Sequence, residues 1–155
     1  VLQLHTERET DAQDPAVSAD TAPVVNGANP WARKLPWIDG FAALSAGALV
    51  FVFRGLLTDF YGLPYQFLTT IALVNTLYSV FGLTLGVLRR RPAWLLTALI
   101  SANLLWAAAC SVFAVRAPAG VTLWGHGHLV GEGAFVAALA FLEWRYRRSI
   151  LELRT

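Results

Sequence analysis

The amino-acid sequence predicts an all-α integral membrane protein: a four-helix transmembrane bundle with a disordered or extended N-terminal tail. Three observations lead there. Of the 155 residues, 56% are apolar and 14% charged, with a mean hydropathy of +0.52, whereas a soluble domain carries about a quarter charged residues. The apolar residues gather into four runs of about 20 residues, each able to cross a hydrocarbon core of about 30 Å at 1.5 Å per residue. The basic residues cluster in short segments beside those runs, which is how membrane topology is encoded.

Residues 1–30 form the tail, and residues 31–155 the membrane domain. In the tail, Glu7, Glu9, Asp11, Asp14 and Asp20 against Arg8 give a net charge of −4, so the remainder carries +6 within a total of +2. Almost no large apolar residue follows Leu4, a composition that cannot bury a core of its own. The tail also lacks the basic start and apolar stretch of a secretory signal peptide. The missing initiator Met points to a trimmed chain or a non-ATG start read as Val.

Trp31, Arg33, Lys34 and Trp37 make an aromatic and basic collar of the kind found at headgroup level. The first span follows, over about 38–57, with Asp39 placed to cap its start and Ala43 and Gly47 forming a close-packing face. Arg54 near its far end is expected to snorkel outward or pair inward. Asp59, Gly62 and Pro64 then supply turn chemistry.

The second span covers about 66–88 and carries a stripe of small and polar residues, Asn75, Ser79, Gly82 and Gly86, at i, i+4, i+7 and i+11. Arg89, Arg90 and Arg91 end it. Pro92 opens the third span, about 92–115, where a missing N–H costs nothing. Asn103, Ala107, Cys110 and Ala114 repeat the same spacing, so the second and third spans are expected to form a tight pair. A loop with Pro118, Gly120 and Trp124 leads to the fourth span, about 127–145, closed by Arg145, Arg147 and Arg148. With Arg33 and Lys34, Arg89 to Arg91 and Arg145 to Arg148 inside, both termini are predicted cytoplasmic, in a bacterial inner (plasma) membrane.

Counting from the cytoplasmic end of each span puts Asn75 about 20 Å deep, Asn103 about 17 Å, Glu132 about 18 Å, and Arg54 and His128 about 24 Å. Ionisable groups at such depth cost about 2.5–3.5 kcal/mol on insertion scales, so they face the bundle interior and find partners. Arg54, Asn75, Asn103, His128 and Glu132 are therefore the candidate ligand-binding cluster, with Tyr78 and Trp106 placed to line a pocket beside the asparagines. Glu132 is expected to pair with Arg54 or His128, which lies four residues before it on one helix face. His126, His128 and Glu132 are candidate metal ligands, although a helical H-x-x-x-E supplies two ligands where a zinc site needs three or four. Gly47, Ser79, Gly82, Gly86, Ala107 and Cys110 are candidate packing positions, and Cys110 reads as a small buried residue. Glu143, beside Trp144 and Arg147, reads as an interfacial ion pair.

No nucleophile with a base, phosphate loop, CxxC or haem-attachment motif is present in the sequence, and enzyme chemistry is not expected. No cofactor is indicated. The basic clusters read as topology signals, so nucleic acid is not an expected partner. The first expectation is a non-catalytic accessory or assembly subunit of a larger inner-membrane complex, respiratory or photosynthetic by base rate. Its partners are membrane lipid and other membrane subunits, with the acidic tail as a docking strand. The alternative is a small binder or transporter whose polar cluster holds a metal ion or polar solute. An open cavity at Glu132 would favour the alternative, and a cluster closed by direct side-chain contacts would favour the subunit.

Overall fold

A computed structural model describes residues 30–151 of the chain; the tail and its proposed docking role lie outside the described residues. The described residues are helical, without a strand among them. A 3-10 turn at Ala32–Lys34 leads into α1 (Leu35–Tyr61), followed by α2 (Tyr65–Val87), α3 (Ala93–Val115), α4 (Leu123–Arg145) and the short α5 (Arg147–Leu151). The stretches Ala32–Tyr61, Tyr65–Val87 and Ala93–Val115 are long and apolar enough to cross a membrane. α4 equals α2 and α3 in length, and its glycines, two histidines and two glutamates make it less apolar.

Two helix boundaries differ from the sequence reading. α1 begins at Leu35, with Pro36 in its first turn, so Asp39 lies inside the helix and caps nothing. α4 begins at Leu123 because Thr122 caps it: Thr122 Oγ1 accepts from the Gly125 N–H at 3.1 Å. Trp124, Gly125 and His126 are thereby helical, although they resemble loop residues in isolation.

The helices pack as two hairpins, α1 with α2 and α3 with α4, joined mainly through α1 and α4. This overturns the expected pairing of the second and third spans. A Cβ on Gly82 would lie 3.1 Å from the Cα of Gly40, and one on Gly47 would lie 2.9 Å from the Ala72 carbonyl oxygen. Gly86 abuts the Trp37 ring. The stripe on α2 therefore receives α1, while Ala107 and Cys110 on α3 receive Gly133 of α4, whose added Cβ would lie 3.1 Å from that of Cys110. Small residues lower the cost of close backbone approach, but the α2 and α3 stripes use it on different partners. α2 and α3 themselves diverge beyond their connecting loop.

Both ends of the bundle are tied. At one end the Thr122 N–H donates to Tyr61 O at 2.9 Å and the Thr122 hydroxyl to Phe60 O at 2.8 Å. Gly62, at φ 67°, closes α1 directly against Gly120 O, where a Cβ would collide. At the other end Arg91 donates to Leu85 O, Gly86 O, Arg33 O and Ile150 O at 3.0–3.2 Å, gathering α2, the 3-10 turn and α5. Ala32, Leu35, Leu85, Leu96, Leu99 and Ile150 form a buried apolar cluster there.

Candidate functional site

Between the hairpins lies a cavity of about 420 Å³ with walls from all four long helices. Ala43 and Ala46 of α1, Ala102 and Ala109 of α3, and Val136 of α4 supply small or apolar wall. Val74 of α2 and Leu105 of α3 also line it while exposed to the outside, Leu105 at 72%. Phe135 of α4, 50% exposed, lines it too, so the cavity is open to the outside of the bundle.

Two hydrogen-bonded polar clusters interrupt this apolar lining. In the first, Asn103 Nδ2 donates to Asp39 Oδ2 at 3.1 Å and to Glu143 Oε2 at 3.3 Å, and the Tyr78 hydroxyl donates to the same Asp39 oxygen. Asp39 is 2% exposed and Glu143 0%. Neither has an ion-pair partner among the described residues, and Glu143 Oε1 is buried without a hydrogen-bond partner.

In the second cluster Glu132 Oε1 accepts from Trp106 Nε1 at 2.8 Å and from Asn75 Nδ2 at 3.1 Å. Its Oε2 lies 3.2 Å from His128 Nε2, within ion-pair distance. Tyr61 stacks on the His128 ring at 4.9 Å, which fixes the imidazole plane. Asn75 to Tyr78 and Asn103 to Trp106 are each three residues, so the two clusters stand about 5 Å apart along the helices.

Of the five residues expected to converge, the structure brings Asn75, His128 and Glu132 together. It moves Asn103 one turn away to the other carboxyls. Arg54 is not the partner of Glu132; its guanidinium donates to the Tyr65 hydroxyl and to Phe51 O and lies 4.0 Å from the Phe51 ring centroid. The snorkelling length of arginine lets it stay near its own helix end instead of entering the bundle.

The metal set does not assemble either: His126 Nδ1 contacts Thr122 O of its own turn at 3.0 Å, and no group of three or more His, Cys, Asp or Glu side chains among the described residues is disposed to hold a metal. Cys110 and Ser79 are buried, with the Ser79 hydroxyl donating to Thr76 O at 2.7 Å.

Sequence reasoning missed Asp39 and Glu143. Glu143 is not an interfacial ion pair, because α5 and the 3-10 turn cover that end of the bundle while Trp144 takes the outward face at 54% exposure. A signal was available: Glu132 and Glu143 are eleven residues apart, about three helical turns, and so share one face of α4. No protein family, curated protein or solved structure matches this chain.

Proposed function

We propose that this chain is a four-span protein of a bacterial inner membrane, with both termini cytoplasmic, that binds a small molecule in the cavity between its two hairpins. The observation carrying this reading is the combination of a cavity of about 420 Å³ with Asp39, Asn75, Asn103 and Glu132 in its wall. Binding sites for small molecules are concave, mostly apolar, and carry a few fixed polar groups. Membrane-embedded carboxyls are costly to bury and mark ligand or ion pathways. A cavity whose exposed lining is Val74, Leu105 and Phe135 suits a molecule that arrives dissolved in the bilayer.

A non-catalytic subunit of a larger complex was the other expectation from sequence. It called for a polar cluster closed by direct contacts; Glu132 does contact Asn75, Trp106 and His128, and it is the empty volume beside these contacts that supports the binder. The test is purification from host membranes followed by solvent extraction and mass spectrometry. A small molecule should be recovered in near-stoichiometric amount with the wild type and lost from Ala109→Leu, whose larger side chain projects into the cavity. Extracts indistinguishable between the two proteins would contradict the reading.

A further inference from the structure

Resting on the cavity being a binding site, we infer that its ligand carries a positively charged hydrogen-bond donor, a protonated amine, on an apolar or aromatic body. The donors and acceptors in the wall lead to this chemistry. Four lining side chains carry N–H or O–H donors: Asn75, Tyr78, Asn103 and Trp106. The two amide hydrogens of Asn75 go to Ile71 O and Glu132, and those of Asn103 go to Asp39 and Glu143. The Tyr78 hydroxyl is committed to Asp39 and the Trp106 indole to Glu132. Every donor in the lining is thus spent on a carboxyl or a backbone carbonyl. What remains for a ligand is acceptor capacity, so a carbonyl, phosphate or carboxylate head finds nothing to bind.

Charge points the same way. Asp39, Glu132 and Glu143 stand against one imidazole, that of His128, because Arg54 is turned to Tyr65 and Phe51. Asp39 and Glu143 accept from the same amide nitrogen, so two charges there would repel in surroundings that water screens poorly. A proton shared between the two carboxyls relieves that repulsion, and so does a cation entering beside Asp39.

Trp106 and Tyr78 in the wall are aromatic, and aromatic rings attract ammonium groups. An inorganic cation fits less well. It would leave most of 420 Å³ of largely apolar space unfilled, and no three-ligand group among the described residues is disposed to hold it.

The test uses the full chain in nanodiscs of zwitterionic lipid, titrated calorimetrically with three probes of matched shape: 2-phenylethylammonium, 2-phenylethanol and 3-phenylpropanoate. Empty nanodiscs supply the partition background. Saturable binding of the ammonium is expected, at least tenfold tighter than the alcohol, with none for the carboxylate. Asp39→Asn should weaken the ammonium at least tenfold, and Ala109→Leu should abolish it. The wild-type series decides the matter even if Asp39→Asn fails to fold. Equal or tighter binding of the alcohol or carboxylate, abolished by Ala109→Leu, would overturn the cation inference while leaving the cavity reading intact. Ammonium binding that survives Ala109→Leu, or no binding of any probe, would also overturn it, and recovery of a native small molecule lost from Ala109→Leu would then show that the cavity still binds.

Discussion

Asp39 on α1 and Glu143 on α4 are joined through a single side-chain nitrogen, Asn103 Nδ2 of α3, which donates to one at 3.1 Å and to the other at 3.3 Å. Three helices meet at one amide in the interior of an apolar bundle. Removing it should be costly, because two buried carboxyls then lose a donor at once. Asn103→Leu is expected to destabilise the protein by at least about 2 kcal/mol, the range for leaving buried acceptors unsatisfied. Glu143→Gln keeps the shape and should cost clearly less. Thermal unfolding in nanodiscs compares the two, and equal stabilities would mean that the amide is not holding the carboxyls.

The partner of Glu132 is separable by double-mutant cycles. With Oε2 at 3.2 Å from His128 Nε2, His128→Ala and Glu132→Gln should couple by about 0.5 kcal/mol or more. Arg54→Leu and Glu132→Gln share no contact and should add, within about 0.3–0.5 kcal/mol. The reverse pattern would return Arg54 to the site.

Gly82→Leu should destabilise by about 1–3 kcal/mol through overpacking, and the lesion should appear between α1 and α2. Site-directed cross-linking reads it: an α1–α2 cross-link should be lost, whereas one between α3 and α4 persists. Loss of both together would mean that the hairpins do not pack as separate units.

Arg91 ties together carbonyls from three segments. Arg91→Leu should cost at least about 2 kcal/mol, since hydrogen bonds to charged groups contribute about 1.5–3 kcal/mol each. The exposed neighbour Arg90, changed to Gln, should stay within about 0.5 kcal/mol of wild type. Chemical denaturation of the two variants in parallel checks this.

These relationships also mark where the sequence stops being informative. Apolar runs bounded by Pro, Gly and arginine clusters make the helices legible, because length and hydropathy are local properties. The i, i+4, i+7 stripes on α2 and α3 are equally plain, but a stripe says that a face is small without saying which helix meets it. Gly82 meets Gly40, and Cys110 meets Gly133. The His128–Glu132 contact is readable at i, i+4, being local.

Asp39 and Glu143 are different. Each looks interfacial in its own neighbourhood, Asp39 near Trp37 and Glu143 near Trp144 and Arg147. Their burial depends on α5 and the 3-10 turn, five and three residues long, closing the end of the bundle. Segments that short leave no periodicity to read. The cavity is likewise a property of how two hairpins fail to fill the space between them, which no single stretch of chain records.

If the space between the hairpins is empty enough to receive a ligand, it will also accept added side-chain volume. Ala109 lines the cavity, whereas Gly133 is packed against Cys110 with only 3.1 Å available to an added Cβ. Ala109→Leu should therefore leave thermal stability unchanged or raised once any co-purified molecule has been removed. Gly133→Leu should lower it by the equivalent of about 1–3 kcal/mol. If Ala109→Leu is as damaging as Gly133→Leu, the interior is solidly packed and the cavity account is wrong.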